Sequence, residues 1–333
     1  MRFLVPCPGS RKNFMDLHSV PPSFPIVDGH VDVLFEMMEH HSGRRFSEIS
    51  SGTVTLDLLK RGNVRIIVSA LYCADQYNGE ESAAGRFQQL VRYARDHLDG
   101  VVPIGSSREL QSVYESPEHE PAVLFLLENA DALVDMDLTA LDPLRIRVVG
   151  LTHMGSNRIG DGNGVFFPEG LRREGKEVVR KLKDAGCGVD VAHLSDPCFW
   201  DLMDLFEGPV LSSHTGFRFF CNIPRNLNRD QVRVLVERRG IIGISVSPDM
   251  LALDGVAKAE DVFRHIDWVT QSFGPEFVAL GSDFCGFFSA TEGVEDISRL
   301  SGLAERMTRD GYPSEAVQGI MGNNWVRFYS ALL

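Results

Sequence analysis

Eight short stretches of the chain are rich in aliphatic and β-branched residues: FPIVDGH (24–30), VRIIVSALYC (64–73), AVLFLLENA (122–130), IRVVGLTHMG (146–155), GVDVAHLS (188–195), PVLSSHTG (209–216), IIGISVSP (241–248) and FVALGSDF (277–284). Several are nearly continuous apolar runs, the pattern of parallel strands covered on both faces. Between them the apolar positions fall at helical spacing, over 81–98, 174–186, 228–240 and 258–274. Three of these helices stop on a glycine, and the one at 228 opens on an Asn cap. Strand runs alternating with helices predict a (β/α)8 TIM-type barrel of the α/β class. The alternative is an open, doubly wound sheet, but no Gly-rich phosphate loop follows the first run, and GDGNG (160–164) reads as a turn. No internal repeat or low-complexity linker divides the chain. Residues 1–333 therefore read as one barrel domain, with 1–23 as an N-terminal extension.

Composition narrows the class. The chain has 333 residues, 44% of them hydrophobic, enough for a sizeable core. Its 33 basic and 46 acidic residues give a net charge of -13, which speaks against binding nucleic acid or an anionic membrane surface. The six cysteines are scattered, with no C-x-x-C pair, as for free thiols in a reducing compartment. The opening MRFLVPCPGSRKNF lacks the apolar core of a signal peptide, and no apolar run is long enough to cross a bilayer. The expectation is a soluble, cytoplasmic protein.

Chemistry concentrates at the ends of the runs. In PIVDGHVDVL (25–34), His30 and Asp32 are two apart, so an extended chain points both to one side. Glu128, His153, His193, His214 and Asp283 lie at or near the C-terminal ends of five other runs. In a barrel these ends share one face, where active sites sit. A lone His at a strand end is usually structural, and a lone acid can cap a helix or start a turn, but each would need its own explanation. One site accounts for all: three His and two carboxylates hold two divalent ions, with a further acid and a further His for chemistry. Imidazole and carboxylate donors without thiolate suit Zn²⁺, with Mn²⁺, Fe²⁺ or Co²⁺ as alternatives. Two such ions activate water and polarise a carbonyl, so hydrolysis of an amide or ester is expected. There is no G-x-S-x-G elbow for a serine hydrolase. His18, His40, His41, His97, His119 and His265 read as surface or structural.

The motifs DGHVD (28–32), Glu128 in LLENAD, LTHMGSN (151–157), VDVAHLSD (189–196), SSHTGFR (212–218), IPRNL (223–227), GSDFCG (281–286) and GNNWVRF (322–328) resemble, in order and spacing, the membrane (renal) dipeptidase family of binuclear zinc peptidases. The resemblance runs from about residue 25 to about residue 328. It implies two Zn²⁺ per chain, one on His30 and Asp32, the other on His193 and His214, with Glu128 bridging. It also implies that Asp283 is the acid/base, that His153 stabilises the oxyanion against the substrate, and that Arg225 binds the free carboxylate of a dipeptide. The reaction implied is dipeptide hydrolysis, in soluble bacterial relatives often with a D-residue on the C-terminal side. Partners then reduce to that small substrate, and a homodimer is left open. The chain departs from the family in three places: Asn129 and Ala130 follow the bridging Glu where Gly is usual, Cys285 stands where a second Asp is common, and Ala192 where Ser is often found. They bear on substrate preference. The competing readings are a hydrolase of another small amide or lactone with the same metal pair, and a metal-binding protein that has lost catalysis. Retention of Asp283 and His153 argues against the last.

Overall fold

The computed structural model describes residues 24–116, 118 and 120–333; the N-terminal extension, with Cys7 and His18, and His119 lie outside the described residues. Nine strands form one parallel sheet: β1 (Ile26–Val31), β2 (Val64–Tyr72), β3 (Val102–Pro103), β4 (Ala122–Glu128), β5 (Val148–Gly150), β6 (Gly188–Asp190), β7 (Val210–Thr215), β8 (Ile241–Ile244) and β9 (Val278–Leu280). Eight of them follow one another around the ring in chain order, and β3 only extends the sheet beside the start of β4. The seam between β9 and β1 closes just beyond the end of β9. There the Asp283 N–H donates to the His30 carbonyl at 3.0 Å and the Asp32 N–H to the Phe284 carbonyl at 2.9 Å. The predicted barrel is thus the observed fold, and the seam is held by the backbone of residues that also carry the site.

Alternation along the strands explains the double-sided apolar runs. On β2, Ile67 and Leu71 join the layer under the helices, whereas Ile66, Val68 and Ala70 face a second cluster that includes Trp325. Trp325, in the helix Asn324–Ser330, closes the floor of the barrel and donates from its indole to the Leu280 carbonyl at 2.7 Å. Glycine is required above it: a Cβ on Gly29 would lie 2.2 Å from the indole.

The helices over 82–97, 173–184, 229–237 and 259–273 match their predicted spans within a few residues. Asn228 caps the third, accepting from the Asp230 and Gln231 amides at 3.0 Å. The strands β5, β6, β8 and β9 are shorter than their apolar runs. Asn129, His193 and Asp283 adopt left-handed backbone (φ 70, 65 and 68°), which ends the extended course just where the chain meets the site. Such conformations cost about 1–3 kcal/mol each in a residue with a Cβ and collect at functional sites.

Candidate metal centre

Seven of the predicted side chains converge on the C-terminal mouth of the barrel. His30 and Asp32 come from the end of β1, Glu128 from the last position of β4, and His214 from β7. His153, His193 and Asp283 come from the segments just past β5, β6 and β9. His30, Asp32, Glu128, His193, His214 and Asp283 are all buried.

Glu128 occupies the middle. Its Oε1 lies 3.0 Å from His193 Nε2 and 3.8 Å from His214 Nε2, while its Oε2 lies 3.9 Å from His30 Nε2. His30 Nε2 is 3.5 Å from Asp32 Oδ2, and His214 Nε2 is 3.8 Å from Asp283 Oδ1. One carboxylate therefore points one oxygen at each of two ligand sets. Donor atoms of His30, Asp32 and Glu128 form one group, those of Glu128, His193 and His214 a second, each within 4.8 Å.

The charge states fit cations. Burial, with Arg225, His153 and His30 nearby, pushes the His193 imidazole well down, and burial with His30 and Arg225 does the same to His214. Both are neutral, and their Nε2 atoms face each other at 3.1 Å. Burial also pulls His30 down, but the carboxylates of Glu128, Asp32 and Asp283 outweigh it and raise it to about 10. A proton there takes up negative charge that a divalent ion would otherwise balance. His30 Nε2 and Asp32 Oδ1 are buried with no hydrogen-bond partner among the described residues. Orphaned donors and acceptors of this kind, in an oxygen and imidazole set, fit a pair of divalent metals.

Above the cluster lies a cavity of about 490 Å³. Asp32, Glu128, His153, His193, Arg225 and Asp283 line its polar floor; Phe35, Tyr72, Met154, Phe287 and Phe288 form an apolar rim. Arg225 Nη2 donates to the His214 carbonyl at 3.0 Å and sits 3.3 Å from His193 Nε2. Asp283 is pushed well up by burial and by the Asp32 carboxylate. His153 packs between Tyr72 and His193, its ring tilted against both, with centroids 4.7 and 4.4 Å away.

Sequence reading missed Asp75. Its Oδ2 faces His153 Nδ1 at 3.1 Å and accepts the Gly155 N–H at 2.9 Å. Burial opposes the charge on Asp75, but the bonds from His153 and Gly155 overcome it and hold its carboxyl below the usual range. A Cβ on Gly155 would stand 3.0 Å from that carboxylate, so glycine permits the approach. Asn129, one of the departures, ties the same loops together. Its amide donates to the Cys73 carbonyl and to Asn78 Oδ1, both at 2.7 Å, and its oxygen accepts from Asn157 Nδ2 at 2.8 Å. Cys285 turns its thiol to Thr53 Oγ1 at 3.5 Å and is not among the residues lining the cavity.

A parallel barrel with an imidazole and carboxylate cluster at its C-terminal mouth defines a barrel hydrolase of the metallopeptidase kind. Residues 15–332 match the family described as membrane dipeptidase, peptidase family M19. The chain belongs to that family. It is 27% identical to dipeptidase aclJ of Aspergillus oryzae over 335 residues, covering 93% of this chain and 79% of that protein. It is 25% identical to human dipeptidase 3 over 325 residues, covering 92% of this chain but only 65% of the human protein. Its fold superposes with a TM-score of 0.79 on a metallopeptidase from Rhodobacter sphaeroides solved with a phosphinate mimic of the dipeptide L-Ala-D-Ala; identity is 22%, with 93% of this chain and 99% of that chain covered. Among the described residues no helix is long and apolar enough to cross a membrane.

Proposed function

We propose that the protein hydrolyses free dipeptides with the help of two divalent cations, Zn²⁺ by the character of the donors. The carrying observation is Glu128, whose two oxygens address separate ligand sets. His30, Asp32 and one Glu128 oxygen would hold one cation, and His193, His214 and the other oxygen the second. When bound, such a pair supplies a hydroxide nucleophile near neutral pH and Lewis acidity at the scissile carbonyl.

The remaining residues divide the work. Arg225, at the His193 and His214 side of the cavity, offers its guanidinium to the free carboxylate of the substrate. Asp283, with its carboxyl raised by burial, is suited to take a proton from the attacking water and return it to the leaving amine. Asp75 holds the Nδ1 edge of His153 and leaves its Nε2 edge to face the developing oxyanion. A D-residue on the C-terminal side is part of the proposal, supported by the dipeptide mimic bound to the Rhodobacter sphaeroides relative.

The test is a screen of purified, zinc-loaded protein against L,L- and L,D-dipeptides beside simple lactones. Dipeptide cleavage, faster for the L,D series, is expected. Turnover of lactones with none of dipeptides defeats the proposal.

A further inference from the structure

Strand β7 carries four buried polar residues in succession, Ser212, Ser213, His214 and Thr215, and the middle two are neighbours at the site. Neighbours on a regular strand face opposite sides of the sheet. Yet Ser213 Oγ lies 2.8 Å from His214 Nδ1, and also 3.1 Å from His30 Nδ1 on β1. The pairing of β7 with β8 slips between Ser212 and Thr215, which breaks the alternation. The slip crowds the Ser213 carbonyl against two neighbouring strands. A Cβ on Gly243 of β8 would lie 2.0 Å from that oxygen, and one on Gly281, just past β9, 1.8 Å. Glycine at both places is what the irregularity demands. On the other side, Asp190 of β6 accepts the Ser213 N–H at 2.9 Å, which sets a carboxylate beside this residue.

An imidazole that presents Nε2 to a metal carries its proton on Nδ1, and that proton needs an acceptor. A hydroxyl has two acceptor sites and one proton to give. We propose that Ser213 is a positioning residue shared by both metals: its oxygen accepts the Nδ1–H of His30 and of His214 together, and its own proton goes to Asp190. One side chain thereby sets the tautomer and the aim of a ligand on each cation. His193 has no such support, since its Nδ1 has no partner among the described residues. The proposal rests on the two-cation reading above and makes the two sites mechanically coupled.

Calorimetric titration of metal-free protein with Zn²⁺ tests it. Wild type should take up two equivalents. Ser213→Ala should weaken both sites, each by about 10–100-fold, the usual effect of removing a group that orients a metal ligand. Ser212→Ala is the control: its hydroxyl is as buried but has no hydrogen-bond partner among the described residues, and both affinities should stay at the wild-type value. Unchanged affinity at both sites in Ser213→Ala overturns the proposal, as does weakening at one site alone. Fewer than two equivalents in wild type instead overturns the two-cation reading, and this proposal with it. Imidazole nitrogen NMR of zinc-loaded wild type needs no variant: both rings should be Nδ1–H tautomers, and an Nε2–H form of either His30 or His214 refutes the shared acceptor.

Discussion

Arg225 shows how a single side chain separates one reading of the site from another. As a mere brace of its loop it would pair with Asp230, but Asp230 is bonded to Arg233 at 3.0 Å. Arg225 instead reaches His193 and the His214 carbonyl, and its Nε has no partner among the described residues. A charge-assisted contact to substrate contributes about 1.5–3 kcal/mol, so Arg225→Lys should lower kcat/KM for free dipeptides by roughly ten- to a hundredfold. Lys keeps the charge and loses the fork. The same change should matter little for dipeptides with an amidated C-terminus, which wild type should already cleave poorly; equal cleavage of amidated and free substrates by wild type would show that no carboxylate is read. Asp283→Asn keeps the shape and removes the base. Turnover should fall by about 10²–10⁴-fold while both metals remain bound. Loss of metal in that variant, measured by elemental analysis, would make Asp283 a ligand.

Elements decide where such residues stand, and His265 is an instance remote from the catalytic chemistry. It lies in the helix Ala259–Phe273, fully buried against Phe217 and Phe220, and neither ring nitrogen has a partner among the described residues. Burial, with Arg264 adjacent, depresses it from the ordinary 6.5 to about 3. Between those values the unfolded chain binds a proton that the fold refuses. This contribution to stability is complete above pH 6.5 and is lost as the pH falls towards about 3. His265→Phe should therefore lose less stability than wild type between pH 7 and pH 4.5, by on the order of a few kcal/mol in urea unfolding; parallel pH profiles would contradict it. His265 was legible only as surface or structural, because its sequence neighbours do not reveal which helix face is covered. The barrel itself was legible, since eight apolar runs alternate with helical spacing, and so was the convergence of the candidate ligands, which stand at or just past the ends of those runs. The lengths of β5, β6 and β9 were not: nothing in the residue types of His193 or Asp283 announces a left-handed backbone. Asp75 follows a run with no candidate ligand, in a short turn (Asp75–Tyr77) that pattern cannot aim at His153. Ser213 was hidden for another reason, because period-two alternation puts it on the face opposite to His214.

At the scale of the whole molecule, the barrel encloses the carboxyl groups of Asp28, Asp32, Glu128, Asp190 and Asp283, all buried. Burial raises Asp28 to about 6 and lifts Asp32, Asp190 and Asp283 as well. A site that binds cations only when folded should raise stability by about 2.7 kcal/mol per ion at a hundredfold excess over Kd. Chelation should lower the melting temperature, and re-addition of Zn²⁺ should restore it in proportion to occupancy, with saturation at two equivalents. A melting temperature indifferent to chelator would mean that the fold does not need the charge balanced. The seam and the floor also set an order in time. β1 meets β9 through residues 30–32 and 283–284, and the indole over Gly29 belongs to residue 325. During synthesis, the first strand has no partner on its free edge and no floor beneath it until residues 283–325 have left the ribosome. The nascent protein must therefore hold a half-built, apolar-edged sheet in solution for most of its elongation. Its dependence on chaperones should track translation speed over codons 283–325, which supply the closing seam and the floor, more than any local sequence feature.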